Sequence, residues 1–348
     1  MDEVKIYKPD SFIDEPFFSI IVVSYNYEKT LGRTLKAIKR QTYKNYEIVL
    51  VDNGSADNTD KLIKRFIDKN SDLYITHVKI EENIGLPNGR NKGIENAHGK
   101  YIIFNDADDW MEKDCLNEMF VASDDGKVDR IIVQIRDVST DGKILQVRNF
   151  TDNAPRWIAT LLQGNAFKRE YFIKYNIRVP QTYMDDMYIC LNFSGYTDSY
   201  KVVRKTLYNF LININSTSGV NSLDTNMVYK YMDDLVDCIM PIKSRITERE
   251  WMELEYQFIK NYYSLMFNYG RNKKIKDIYN FYNVLHSKMI KNDRNYLKNK
   301  KISFIKNNGD RFYGRALTSF FAFAERIKIM LGLLYIYVFL SKIFYFNV

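Results

Sequence analysis

The sequence predicts an α/β protein, with a mostly parallel Rossmann-like central sheet flanked by helices and a helical C-terminal region behind it. Three observations predict this. Over the first 110 residues, apolar runs of strand length alternate with stretches of helical periodicity. Each of three runs ends in small, polar or acidic residues: "SYN" (24–26), "DNGS" (52–55) and "NDADD" (105–109). From Thr225 onward the pattern is helical.

The elements follow in order. "FFSIIVVSYN" (17–26) is an apolar run suited to a buried strand. "TLGRTLKAIKR" (30–40) sets Leu31, Leu35 and Ile38 on one helical face. "YEIVLVDNGS" (46–55) repeats the strand-then-polar pattern. "NTDKLIKRFIDK" (58–69) sets Leu62, Ile63, Phe66 and Ile67 on one face, with Ser55 or Asp57 as its N-cap. "LYITHVKI" (73–80) reads as a third strand, "LPNGRNKGIENA" (86–97) as a short helix and "KYIIF" (100–104) as a fourth strand. Such alternation argues for right-handed β-α-β units. Residues 111–224 are mixed, and helices are predicted over 225–240, 248–269 and 275–290. The predicted organisation is therefore an α/β part over 1–224 and a helical part over 225–348.

With 348 residues, 46% of them hydrophobic and 27% charged, the chain can bury a substantial core. Its cysteines, Cys115, Cys190 and Cys238, are odd in number and far apart. That favours a reducing, cytoplasmic setting over a disulfide or zinc framework. Residues 1–14 carry charges of both signs and no long apolar run, so no N-terminal signal is expected. The net charge of +8 is uneven. Between Arg271 and Lys342 there are 16 Lys and Arg against 4 Asp and Glu, whereas the rest has 35 against 39. A basic segment of this kind calls for an anionic partner. It leads into "IKIMLGLLYIYVFLSKIFYFNV" (327–348), whose uncharged core, Ile329 to Ser341, is 13 residues long. A spanning helix needs about 20. The expectation is an amphipathic tail lying on an anionic membrane surface, with a buried terminal helix as the alternative. No nucleic-acid motif accompanies the basic stretch, so no nucleic-acid partner is expected.

In an open parallel sheet, ligands bind outside the carboxyl ends of the strands. Asp106 and Asp108 stand there, one residue apart. In extended chain such side chains point the same way, so both carboxylates can converge. Hard oxygen ligands suit Mg²⁺ or Mn²⁺. No glycine follows in calcium-loop register and no Gly-rich phosphate loop occurs. A solvated loop with Asp109 as a helix cap is the plain alternative.

"IIVVSYNYEKTLGRTLKAIKRQTYKNYEIVLVDNGSADNT", "ENIGLPNGRNKGIENAHGKYIIFNDADDW" and "FKREYF…YMDDMYI" together resemble glycosyltransferase family 2, of the GT-A type, across about residues 17–220. The resemblance implies a GT-A fold and a nucleotide-diphosphate-sugar donor. It places Ser24, Tyr25, Asn26 and Glu28 along the first edge of the nucleotide pocket, with Tyr25 against the base. Asp52 would accept a hydrogen bond from the base, with Asn53 and Gly54 allowing close approach. Asn83, Gly85, Arg90 and Asn91 match the segment that closes over the nucleotide. Asp106 would meet ribose and the metal shell, Ala107 would follow on the donor side, and Asp108 would ligate Mn²⁺ or Mg²⁺.

An inverting transfer also needs a base for the acceptor hydroxyl. The family's Glu-Asp pair corresponds here to Asp185 and Asp186, with Asp186 as base and Asp185 a shortened acceptor contact. Gly164, Asn165 and Lys168, in "LLQGNAFKREYF" (161–172), fall on the acceptor side, joined by Asp109 and by Trp110 and Trp157 as sugar-stacking rings. "LYNFLININSTSG" (207–219) resembles the family's closing segment, keeping Ser216 and Ser218 but with Asn213 where an arginine is usual. The resemblance thus implies a bacterial surface-polysaccharide transferase acting on a glycan or lipid-linked acceptor. Its expected place is the inner face of the cell membrane, held through the tail. The helical region is also a candidate for homo-oligomer contacts. Two alternatives are another nucleotide-binding α/β enzyme, such as a nucleotidyltransferase, and a non-catalytic membrane-associated binding module. The first would need a basic triphosphate loop near the first strand, which "SYNYEKT" lacks.

Overall fold

A computed structural model describes residues 3–10, 12, 15–150, 156–181, 185–212, 225–270, 273–292, 295–305 and 312–343. The chain forms two compact units. One comprises Met1–Asp152 and Ala159–Asn213, the other Asn153–Ile158 and Ile214–Val348.

The first unit is built on ten strands: β1 (Glu3–Tyr7), β2 (Phe18–Ser24), β3 (Tyr46–Asn53), β4 (Tyr74–Ile80), β5 (Tyr101–Phe104), β6 (Trp110–Met111), β7 (Arg130–Ser139), β8 (Ile144–Arg148), β9 (Asn165–Lys168) and β10 (Tyr200–Ile212). They form one sheet in the order β1-β4-β3-β2-β5-β9-β7-β10-β6, with β8 paired to β7. The parallel half expected from the alternating pattern is present as β4, β3, β2 and β5. Beyond β5 the sheet is mixed, because β9 runs antiparallel to both β5 and β7. Strand β1 was not predicted. Its residues are exposed throughout, so it carries no burial pattern to read, and it pairs antiparallel to β4 through its backbone.

Among the described residues, the helices that accompany this sheet are α1 (Leu31–Lys39), α2 (Thr59–Asp68), α3 (Leu86–Glu95), α4 (Cys115–Ala122), α5 (Arg169–Lys174) and α6 (Asp185–Ser194). Every residue of β2 and β3 is buried, which is why they read as continuous apolar runs rather than alternating ones. Successive side chains serve opposite layers. Phe18, Ile20 and Val22 meet Leu31, Leu35 and Ile38 of α1 on one face. Ile21 and Val23 meet Ile94 of α3 and Ile189 of α6 on the other. The second layer depends on two glycines of α3, four residues apart and so on one helix face. A Cβ on Gly89 would lie 2.7 Å from Val23 Cγ1, and one on Gly93 would collide with Ile21. This close approach seats Arg90 over the strand ends. Helix α2 starts after Asn58 rather than Ser55 or Asp57, although the Asp57 carboxylate does accept the Thr59 N–H at 2.9 Å. Ser55 instead receives the Asn26 N–H.

The second unit holds α7 (Thr225–Ile239), α8 (Glu248–Gly270), α9 (Ile278–Asn292), α10 (Phe312–Arg326) and α11 (Met330–Ile343). Helix α11 buries Met330, Leu334 and Val338 while leaving Ile336, Phe339 and Leu340 exposed. One face of this helix is therefore core, as the buried-helix alternative expected, and the other is open. Among the described residues, no helix is long and apolar enough to cross a membrane. The interior of this unit is tied by a buried carboxylate. Glu325 accepts from the Tyr262 hydroxyl at 3.0 Å and the Tyr263 hydroxyl at 2.6 Å, and pairs with His286 Nδ1 at 2.8 Å. Burial works against the charge, but His286 and the Tyr263 hydroxyl overcome it and hold Glu325 below the ordinary glutamate range.

A depressed carboxyl pKa contributes stability above its unfolded value and loses it as pH falls through the folded value. Glu325→Gln should cost about 1–3 kcal/mol at pH 7 in urea unfolding, because it removes the charged acceptor of a buried network. The difference from wild type should close on acidification below the glutamate range. A constant difference down to acid pH would contradict a charged Glu325.

Candidate active site

The carboxyl ends of β2, β3 and β5 open onto one edge, with Ser24 in register with Asp52. Two loops there are stitched together by side chains. Asn26, at a φ of 60°, donates its N–H to Ser55 Oγ and accepts the Ala56 N–H at 2.8 Å. Glu28 accepts from the Asn58 N–H and side-chain amide. Asn26 and Glu28 thus shape the rim, while Tyr25 remains exposed. Asp52 is buried and accepts the Ser55 N–H at 3.1 Å, and burial pushes its carboxyl above the ordinary range. Ser24 is buried, with its hydroxyl on the Val51 carbonyl.

The next segment is held against this rim. Asn53 donates to Asn83 Oδ1 at 3.1 Å and accepts the Ile84 N–H. Gly54 has φ of 77°, and a Cβ there would lie 2.6 Å from the Asn83 nitrogen. Gly85, at φ 84°, starts α3 and gives its N–H to Asn83 Oδ1. Asn91 faces elsewhere: its amide brackets the Val179 backbone at 2.8 and 2.9 Å, fixing the approach to α6.

Arg90 is the hub. Its side chain is 4% exposed, and its guanidinium reaches Asp106 at 3.1 Å, Asp186 at 2.7 Å and Asp185. Burial alone would lower its pKa, but Asp186, Asp185 and Asp106 outweigh it and keep it charged. One cation facing three acids leaves the cluster net negative. Burial raises Asp186 above the carboxylate range, and Asp185 and Asp106 add to this against the pull of Arg90.

The acid loop is clamped from α1 as well. Thr34 Oγ1 donates to the Ala107 and Asp109 carbonyls, and Arg33 donates to the Asp108 carbonyl at 2.6 Å. Asp108 itself is pushed up to about 6 by burial and by Asp106. Arg33 pulls against this without reversing it, and the hard oxygens of such a carboxylate fit a divalent cation. Asp106 fits less well than the spacing suggested, because its two oxygens are taken by Arg90 and by Gln163 Nε2 at 2.7 Å. Among the described residues, no three ligand-type side chains converge as a cage. A Mg²⁺ or Mn²⁺ site of one or two carboxylates, completed by phosphates and water, requires no such cage.

The acceptor-side expectations fare differently. Asp109 is 1% exposed and anchors the loop, accepting from the Tyr208 hydroxyl at 2.9 Å and the Leu211 N–H at 2.7 Å. Asn165 is buried and accepts from Arg130 Nε. Lys168 pairs with Asp129 at 3.1 Å and Glu170 at 3.2 Å. A Cβ on Gly164 would sit 2.9 Å from Ile135. The reason is common to Gly164, Asn165 and Lys168: they belong to, or abut, β9, which is hydrogen-bonded on both sides. Trp157 is wholly buried in the helical unit under the Arg156 guanidinium, so it offers no sugar platform. Trp110 is partly exposed, with Arg33 stacked 4.2 Å from its ring centroid. Asn213, Ser216 and Ser218 lie outside the described residues. Sequence reasoning missed Gln163, Tyr208, Arg33 and Thr34. All four lie in quoted segments, but nothing local marks which of those side chains turns toward the acid loop.

A mixed α/β sheet with an acid loop at its parallel edge, and a second acid pair joined to that loop by one arginine, has the form of a GT-A glycosyltransferase fold. The chain belongs to the glycosyl transferase family 2, whose model matches residues 19–207. Putative glycosyltransferase EpsH of Bacillus subtilis (strain 168) is 27% identical over 221 residues, covering 59% of this chain and 63% of that protein. The chain therefore matches less than two thirds of this relative's length. In fold it is similar to S. aureus TarS 1-349 in complex with UDP-GlcNAc, at TM-score 0.72 and 18% identity, covering 93% of this chain and 91% of that one. It is also similar to the mannosyltransferase PcManGT of Pyrobaculum calidifontis in complex with GDP-Man and Mn²⁺, at TM-score 0.53 and 15% identity, covering 98% and 90%.

Replacing Arg90 with Met should leave three half-buried carboxylates without a cation. We expect a loss of about 3–5 kcal/mol in urea unfolding at pH 8. The loss should shrink at pH 5, since protonating the orphaned acids relieves their repulsion. A penalty that grows on acidification would refute this account of the hub.

Proposed function

We propose that the protein transfers a sugar, with inversion, from a nucleotide-diphosphate sugar to a hydroxyl of a glycan or lipid-linked acceptor in bacterial cell-surface polysaccharide synthesis. The observation that carries this reading is the meeting on Arg90 of Asp106, from the strand-end loop, with Asp185 and Asp186, from α6. It joins a leaving-group side and a base side in one cluster. UDP is the proposed nucleotide.

In this reading the rim from Ser24 to Gly54 and the Asn83–Arg90 segment hold the nucleotide. Asp186 takes the proton of the acceptor hydroxyl as its oxygen bonds to the anomeric carbon, and its raised pKa suits that task. The sugar–phosphate bond breaks on the opposite face, and the diphosphate leaves with the bonding electrons. Arg90 stays charged and orients Asp186 against Asp106. A divalent cation at Asp108, Mn²⁺ or Mg²⁺, would neutralise the departing diphosphate.

A screen of nucleotide sugars tests this. We expect one UDP-sugar to bind and be slowly hydrolysed in a Mn²⁺-dependent way, with Asp108→Ala losing the metal dependence. Asp186→Asn should keep donor binding but lower transfer by about 10²- to 10⁴-fold. Failure of every nucleotide sugar to bind would end the proposal.

We also place the protein on an anionic membrane surface through α10 and α11. Phe320, Phe323, Ile327, Ile329, Ile336 and Phe339 are exposed there beside Arg326 and Lys328. Large apolar side chains flanked by cations are what a bilayer interface selects. Phe323→Glu with Phe339→Glu should release the protein from phosphatidylglycerol vesicles by at least roughly tenfold in affinity while sparing donor hydrolysis. Unaltered vesicle binding would remove these helices from the membrane role.

A further inference from the structure

We propose that the acceptor is a chain with repeated negative charge, and that a basic cleft along α1 holds its non-reacting part. The proposal rests on the transferase reading above. Arg33, Lys36, Ala37, Arg40 and Trp110 line an open cleft of about 370 Å³. Arg33, Lys36 and Arg40 are three and four residues apart, so they share one helix face. They span roughly 10 Å of helix axis, at about 1.5 Å per residue. All three are exposed. None is in an ion pair among the described residues. A row of this length is longer than one phosphate needs and suits successive anionic groups.

The cleft is joined to the site by Arg33. Its guanidinium lies over the Trp110 ring and donates to the Asp108 carbonyl at 2.6 Å. Helix α1 follows β2, so its first turn lies at the site edge and the row runs away from Asp108 along the flank. An acceptor whose hydroxyl reaches the acid loop could lay its next units along this row. Arg33 and Trp110 close the site end of the row, and the Lys36 ammonium and Arg40 guanidinium would take phosphate or carboxylate oxygens. A lipid surface fits less well. Of the large hydrophobic residues that are exposed, none lies on α1 itself, so the basic row carries no aliphatic side chains to insert. The donor rim, from Ser24 to Gly85, uses other residues.

The test uses the full chain and a labelled short inorganic polyphosphate, read by fluorescence anisotropy. Lys36→Gln with Arg40→Gln should weaken binding roughly five- to tenfold, each being worth a modest exposed charge contact. Lys298→Gln with Lys300→Gln removes the same charge from exposed positions in the helical unit, and should change affinity by less than about twofold. UDP-sugar binding is measured on the same samples and should not change in either variant. If wild type binds donor but the two double variants weaken polyphosphate alike, or neither does, the acceptor proposal is overturned and the transferase reading survives. If wild type binds no nucleotide sugar, the transferase reading fails and the acceptor proposal falls with it. If the α1 variant loses phosphatidylglycerol vesicle binding in parallel, the cleft is a membrane contact and the proposal is likewise overturned.

Discussion

The site depends on one guanidinium. Arg90 is buried, and burying a charge is costly unless it is paired. Asp106, Asp185 and Asp186 supply more negative charge than it can cancel. The arginine thus holds together two acid groups that would otherwise repel, some 80 residues apart in the chain. Burial, helped by the negative charge of Asp185 and Asp106 that Arg90 leaves uncancelled, keeps Asp186 above the ordinary carboxylate range. Burial, and Asp106 after it, likewise raises Asp108, to which Arg90 makes no hydrogen bond. Cohesion and chemical readiness therefore come from one arrangement: enough positive charge to assemble the acids, too little to quench them.

Arg90 can only do this because α3 lies unusually close to the sheet. Gly89 and Gly93 carry no Cβ where Val23 and Ile21 rise from β2. From the other layer, Thr34 and Arg33 of α1 grip the carbonyls of residues 107–109. Tyr208, from β10, and Asp109 close the far end. The acid loop is clamped by its backbone and by Asp109, which leaves the Asp108 carboxylate uncommitted. The crowding in "NDADD" is relieved by giving Asp106 and Asp109 separate partners, Arg90 with Gln163 and Tyr208 with the Leu211 N–H.

The helical unit has its own buried charge, Glu325, satisfied by two tyrosines and a histidine. Its last helix shows why the tail gave two readings from sequence. An apolar 13-residue core is long enough to fill a groove in its own unit and to leave a second face open. Hydrophobicity alone does not say which residues face inward, since nearly every position is apolar.

Much was determined by sequence alone. The strand-helix alternation, the buried runs of β2 and β3, and the acids at the strand ends are local facts, written in periodicity and composition. The family resemblance rests on the same short segments. What tertiary structure decided is which of those polar side chains look outward. Asp109 and Asp108 are adjacent, yet one is locked onto Tyr208 and Leu211 and the other is not. Asn165 and Lys168 read as acceptor contacts until β9 is seen between two strands. Asn91 turns to Val179 while Arg90, its neighbour, turns to the acids. The reason is physical: a buried polar group takes whatever partner the fold brings within about 3 Å, and that partner comes from a distant part of the chain.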